Sequence, residues 1–356
     1  MPANDLMPGS LPQSFRSLPE TAAACFTVAM PDGVVVPVYE FRSGGGAGPE
    51  DAGRGKPPLL FGHANGFAAG SYRQFFEQLA TFARVFAFDA RGHGGSVWPA
   101  GESAAALFST ARFADDLRRI TAAVAERTGG VVPHYAGHSL GAVAAVSLLA
   151  GIDAPGVPPT APDWPSVTLF EPAVFPTPDE AGYEDAVLQQ EELIVRTVIR
   201  QASWRDHESF CARVRGRGAF AGFSDAQLAA HAEATLRPAV PGRREDDDGG
   251  GRRNAYVLCC PPAVEAAVFR NHQEQSPWSR LGRVGRRVVL VGGDPGMPDR
   301  SWITAAMPAM AQWIGAASRL ETVPETGHML VFERPGRCAE IVAAQVTMAQ
   351  AQHSAG

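Results

Sequence analysis

The pentapeptide Gly137-His138-Ser139-Leu140-Gly141 is the segment of this chain best suited to chemistry. Val131 and Val132 lead through Tyr135 and Ala136 into it, and the alanine-rich run Ala142 to Ala150 leads away, a pattern that predicts strand, sharp turn and buried helix. A serine at such a turn is held up off a sheet in a strained backbone conformation. The glycines two residues before and after it remove side chains that would collide there. Serine is a poor nucleophile at its own pKa, so it needs a base within hydrogen-bond reach and a group that orients the base.

His328, in Glu325-Thr326-Gly327-His328-Met329-Leu330, follows the last apolar strand pattern and is the candidate base. For the orienting acid, Asp294 stands directly after the buried run Val288-Val289-Leu290-Val291-Gly292-Gly293, where a carboxylate could fix the imidazole tautomer and stabilise the imidazolium. Asp299 competes with it, and Glu171, at the end of Val167-Thr168-Leu169-Phe170, is a more distant alternative. Loop carboxylates usually cap backbone N–H groups, the reading favoured for Glu171. An oxyanion needs two N–H donors; Leu140 offers one and Asn65, in His63-Ala64-Asn65-Gly66, the other. His63 and His138 flank the site as orienting or packing residues.

The elements that must position these residues alternate. Cys25 to Met30 and Val34 to Phe41 read as two strands joined at Pro31-Asp32-Gly33. Leu59 to Phe61 and Val85 to Phe88 are further strands, with a helix from about Tyr72 to Thr81 between them. Phe113, Leu117, Ile120 and Val124 recur at helical spacing. After Phe170 the alternation stops for a helical block containing Ala186 to Gln201 and Ser224 to Thr235. It resumes with strand Arg287 to Val291, helix Ser301 to Ile314, strand Arg319 to Val323 and a last helix from about Gly336 to Ala351. Strands alternating with helices predict an α/β fold with a mostly parallel sheet covered on both faces and ligands at the carboxyl ends of the strands. The expected organisation is a loose extension over 1–22, a core over 23–175 and 280–356, and an inserted helical cap over 176–279. The charged and glycine-rich run Arg243 to Gly251 reads as a solvated loop, and Cys259-Cys260 as packing within the cap.

Bulk properties narrow the function. The 356 residues carry a formal charge of −6 and are 45% hydrophobic and 19% charged, which gives no electrostatic footprint for nucleic acid or an anionic membrane. Five cysteines without CxxC spacing point to reduced thiols in a cytoplasmic setting, not to a disulfide framework or metal site. No run of about 18 apolar residues predicts a membrane span, and no basic, then apolar, start predicts a secretory signal. Asp89-Ala90-Arg91-Gly92-His93-Gly94-Gly95-Ser96 lacks a phosphate-loop pattern and reads as a tight structural loop, and no cofactor is expected. Phe175, Trp204, Phe210, Phe220, Phe223 and Trp278 are either core of the cap or lining of an acyl pocket.

Taken together, His63-Ala64-Asn65-Gly66, Asp89 to Ser96, Gly137 to Gly141 and Gly327-His328 resemble, in their order, the α/β-hydrolase superfamily. The resemblance covers roughly residues 25–175 and 285–350. It implies a triad of Ser139, His328 and Asp294, oxyanion donors at Asn65 and Leu140, and a small-molecule acyl substrate. Two departures stand out: Ala64 occupies a place where glycine is commoner, and the acid motif is compressed, with Asp294 directly after the glycine pair and Asp299 close behind. A serine at the turn separates the chain from dehalogenase and epoxide hydrolase branches, which use aspartate there. The expected activity is hydrolysis of a carboxylic ester or thioester through an acyl-enzyme. Acyl transfer, carbon–carbon bond hydrolysis and a non-catalytic ligand-binding role on the same fold are the alternatives.

Overall fold

The computed structural model describes residues 22–41, 55–99, 104–152, 161–239, 255–297 and 300–354. The expected N-terminal extension, the Arg243 to Gly251 loop and Asp299 therefore lie outside the described residues, although the first strand begins at Ala22. The main sheet has eight strands: β1 (Ala22–Ala29), β2 (Val35–Phe41), β3 (Pro58–Gly62), β4 (Arg84–Phe88), β5 (His134–His138), β6 (Val167–Phe170), β10 (Val288–Gly292) and β11 (Ser318–Thr322). Their spatial order is β1-β2-β4-β3-β5-β6-β10-β11. β1 pairs antiparallel with β2 and β2 antiparallel with β4, while every pair from β4 to β11 is parallel.

The inner strands are buried on both faces, and their alternate side chains feed two separate cores. Leu60, Phe86, Tyr135, Leu169 and Leu290 point to one face, where they meet helices α2 (Thr110–Arg127), α3 (Leu140–Leu149) and α8 (Trp302–Ile314). Leu59, Phe61, Val85, Ala87, Ala136 and Val291 point to the other, against α1 (Arg73–Leu79) and α9 (Pro335–Ser354). This period of two within continuous apolar runs is what a parallel sheet covered on both sides requires. The chain is thus an α/β protein of the α/β-hydrolase fold.

Between β6 and β10 lies an insertion made of α4 (Tyr183–Val198), α5 (His207–Val214), α6 (Asp225–Thr235) and α7 (Pro262–Glu274). It is not purely helical as expected. Three short strands, β7 (Ser203–Trp204), β8 (Leu236–Pro238) and β9 (Tyr256–Leu258), form a second antiparallel sheet in the order β7-β9-β8. Each is two or three residues long, too short for the alternation of apolar and polar residues to reveal it. The insertion is tied to the core by the Gln227 side-chain amide, which donates to the Phe332 carbonyl at 2.8 Å, and by a 3.0 Å hydrogen bond between Ser71 and His231. Its buried Cys259 and Cys260 thiols are pushed up to about 12 by burial, in keeping with a packing role. Among the described residues, no helix is long and apolar enough to cross a membrane.

Candidate active site

Parallel strands deliver their carboxyl ends to one edge, and the candidate residues gather there. His138 pairs with Phe170 across β5 and β6, so the residues that follow, Ser139 and Glu171, emerge side by side. The Ser139 amide donates to the Phe170 carbonyl at 2.9 Å, and the Glu171 amide to the Val291 carbonyl at 2.9 Å, which carries the ladder one step past each strand.

Ser139 holds φ +51° and ψ −109° at the cap of α3 and is 5% exposed. A non-glycine residue with positive φ outside the left-handed basin is strained by ~1–3 kcal/mol and persists only where its surroundings enforce it. Here the enforcing contact is the packing of α3 on β3. A Cβ on Gly141 would run into the carbonyl group of Gly62, and the Gly141 amide donates to the His63 carbonyl at 3.0 Å. Only glycine permits that approach, so the second glycine of the motif fixes the helix start and, through it, the serine turn.

His328 lies in the loop after β11. The loop crosses directly over the end of β10, where a Cβ on Gly293 would lie 2.7 Å from the Thr326 carbonyl oxygen and 2.8 Å from that of Gly327. The crossing sets His328 above Glu171, and Nδ1–H of His328 donates to Glu171 Oε2 at 3.2 Å. Glu171 is fully buried, and its carboxylate also accepts from the Gly293 amide at 2.7 Å and from the Thr304 hydroxyl at 3.0 Å. An imidazole that donates from Nδ1 keeps its Nε2 lone pair for a proton acceptor's role.

Asp294, the acid favoured from sequence, does not reach the histidine. Its carboxylate accepts from the Gly296 amide at 2.8 Å and from the Glu325 amide at 3.1 Å, and these bonds hold it below the usual carboxylate range. The reason is the loop crossing: with residues 326–327 seated on Gly293, the side chain of Asp294 emerges on the far side, where it pins the loop's outer turn. Asp294 thus binds backbone amides only, while Glu171, expected to bind backbone N–H groups, does so through Gly293 and in addition holds His328. The signal in the sequence was position, since Glu171 follows β6 as immediately as Ser139 follows β5.

The oxyanion candidates fare differently from the acid. The amides on either side of Asn65 are committed: Ala64 donates to Tyr72 Oη at 3.0 Å and Gly66 to His93 Nε2 at 3.0 Å. The Asn65 and Leu140 amides have no acceptor among the described residues. The Asn65 side chain is fixed by donation from Nδ2 to the Glu265 carbonyl of α7 at 3.0 Å. Ser139, Asn65 and His328 all line one cavity of about 920 Å³ between the strand ends and the insertion. No hydrogen bond joins Ser139 Oγ to His328 in this structure, as is common at sites that tighten only around substrate.

The flanking histidines are structural, as expected. His63 donates from Nδ1 to the Ala64 carbonyl at 2.8 Å and accepts at Nε2 from the Ala90 amide at 2.9 Å; burial pushes its pKa down to about 3. His138 accepts from Tyr72 Oη at 2.7 Å and donates from Nε2 to the His328 carbonyl at 2.8 Å, and burial holds it well below the usual range. A continuous chain of hydrogen bonds therefore runs from the Ala64 amide through Tyr72 and His138 to the backbone of His328. Nothing in the residue pattern around Tyr72 marks it for this role. The Asp89 to Ser96 loop is also structural, with the Asp89 carboxylate accepting from Ala69, Gly95 and Tyr39, and Arg91 buried against Asp116 and Asp32.

Of the six aromatics singled out from the sequence, Trp204, Phe210 and Phe220 line the cavity. Phe175, Phe223 and Trp278 belong to the apolar cores.

Residues 59–341 match the alpha/beta hydrolase family. No curated protein sequence matches the chain. Among solved structures, that of an E-2-(acetamidomethylene)succinate hydrolase has a TM-score of 0.63 at 18% identity, covering 91% of this chain and 99% of that one. A peroxisomal alpha-beta-hydrolase from Saccharomyces cerevisiae has a TM-score of 0.60 at 14% identity, with 97% and 87% covered. A putative aryl esterase from Burkholderia cenocepacia has a TM-score of 0.57 at 20% identity, with 92% and 99% covered. At these identities the likeness is one of fold, while the family match spans well over half the sequence. The chain belongs to the alpha/beta hydrolase family.

Proposed function

We propose that the protein is a serine hydrolase that cleaves a carboxylic ester or thioester through an acyl-enzyme, with Ser139 as nucleophile, His328 as base and Glu171 as the orienting acid. The observation that carries the reading is the contact of His328 Nδ1 with the buried Glu171 carboxylate beside a serine held at φ +51°. Ser139 Oγ attacks the acyl carbonyl as His328 Nε2 takes its proton, and Glu171 stabilises the imidazolium. The Asn65 and Leu140 amides receive the developing oxyanion. Collapse of the tetrahedral intermediate breaks the bond to the alcohol or thiol, which leaves with the proton held by His328. Water then repeats the sequence on the acyl-serine and frees the carboxylic acid. In this reading the insertion serves as a cap that closes the cavity over the acyl group.

The test is rapid mixing with a p-nitrophenyl ester of a short acid. The reading predicts a burst of nitrophenolate close to one equivalent of enzyme, absent in Ser139→Ala. An unchanged rate in that variant would overturn it, and so would failure of the folded wild-type protein to turn over any activated ester or thioester.

A further inference from the structure

The cavity's polar lining is strongly biased in sign. Its charged cap residues are Arg196, Arg200, Arg213, Arg217, Glu192 and Glu265, with no lysine or aspartate among them. Both glutamates are already engaged, Glu192 with Arg196 and Glu265 with Arg200. Arg213 and Arg217 have no carboxylate partner among the described residues, whereas Arg215, between them, turns away to pair with Asp225 at 2.9 Å. Arg213 and Arg217, both exposed to solvent, thus line the cavity that also holds the candidate nucleophile, with no carboxylate partner among the described residues.

His231 and His272, which also line the cavity, do not alter this balance near neutral pH. Burial lowers His231 to about 3 and His272 to about 4, so both are uncharged there. His272 Nε2 is moreover buried without a partner among the described residues, although the residue lines the cavity. A chain with a formal charge of −6 therefore presents a locally positive pocket that also offers an unsatisfied polar atom. A purely aliphatic acyl ester would leave all of these groups unmatched.

Resting on the hydrolase reading, we infer that the substrate carries an anionic oxygen group, a carboxylate or a phosphate, which Arg213 and Arg217 bind while its ester or thioester carbonyl meets Ser139. Guanidinium is the group best suited to this task, because its fork of N–H donors matches the oxygens of either anion. With about 920 Å³ available, the cavity has room for acyl group and leaving group together, so the charge can reside on either.

Binding is measured by calorimetry on the Ser139→Ala protein, which needs no turnover. One pair of probes, monoethyl adipate and ethyl hexanoate, places a carboxylate on the acyl side or removes it. A second pair, butyryl-coenzyme A and S-butyryl-N-acetylcysteamine, places phosphates on the leaving side or removes them. The inference predicts that the charged member of at least one pair binds about tenfold more tightly, and that adding Arg213→Ala and Arg217→Ala brings the ratio near one. The pair that responds locates the charge. Ratios near one for both pairs before the arginines are changed would overturn the inference, as would a preference that survives their removal or deepens with Arg213→Glu and Arg217→Glu. A selective but inactive wild-type protein would instead refute the hydrolase reading and leave the anion site standing.

Discussion

Replacing Glu171 by Gln separates the orienting acid from every other feature of the site. The side chain keeps its size, and one of its atoms can still accept from the Gly293 amide at 2.7 Å while the other faces the Thr304 hydroxyl, which can accept as well as donate. What changes is the contact to His328 Nδ1 at 3.2 Å, where an amide N–H now meets the imidazole. The ring then lowers its energy by moving its proton to Nε2, and that tautomer has no lone pair directed at Ser139. Loss of the correct tautomer in such triads lowers kcat by about 10⁴-fold, equivalent to about 5 kcal/mol of barrier. Stability should change by only ~1–2 kcal/mol, since two of the three hydrogen bonds survive. Asp294→Asn is the matched control: it disturbs a loop cap and should lower kcat/KM no more than about fivefold, in line with the modest worth of a backbone cap. The assay is kcat/KM for one p-nitrophenyl ester with both variants, alongside urea unfolding to confirm that each is folded. A Glu171→Gln enzyme within tenfold of wild type, or an Asp294→Asn enzyme reduced a thousandfold, would show that Glu171 is not the orienting acid.

Other consequences concern strain, packing and pH. Ser139→Gly releases the residue from φ +51° and should raise the free energy of unfolding by ~1 kcal/mol while abolishing esterase activity, as read by urea denaturation and steady-state rates. Gly141→Ala forces a methyl group into the Gly62 carbonyl, a backbone obstacle that cannot rotate aside, and should destabilise by more than ~3 kcal/mol or leave no folded protein by circular dichroism. His63 is lowered to about 3 by burial, so the unfolded chain takes up a proton below about 6.5 that the folded chain refuses; its stabilising contribution is complete above that pH and declines as pH falls toward 3. Between pH 7 and pH 5 this one residue removes ~2 kcal/mol, so the stability of His63→Gln, lower at the outset, should fall by that much less over the same interval in urea titrations.

Much of this organisation was legible from residue patterns because it rests on local physics. The order of motifs, the serine turn and the strands from Leu59 to Phe61, Val85 to Phe88 and Val288 to Val291 follow from apolar runs punctuated by glycine and polar residues. Where the structure departs from the residue pattern, the deciding fact is nonlocal. Asp294 and Glu171 both stand at strand ends with similar neighbours, and only the passage of the His328 loop over Gly293 determines which carboxylate lies beneath the imidazole. Tyr72 and Thr304 act on the site from helices far away in sequence, through single hydroxyl groups that leave no periodic trace. Arg213 and Arg217 likewise resemble any solvated basic run and are set apart only by their place in the lining of the cavity.

The central claim, an activated Ser139 served by His328 and Glu171, is tested most directly by labelling with a fluorophosphonate and locating the adduct by mass spectrometry. One equivalent of label is expected on Ser139, none there in Ser139→Ala, and labelling slowed by orders of magnitude in Glu171→Gln. Label on another residue of the folded protein, no label at all, or an undiminished rate in Glu171→Gln would contradict it.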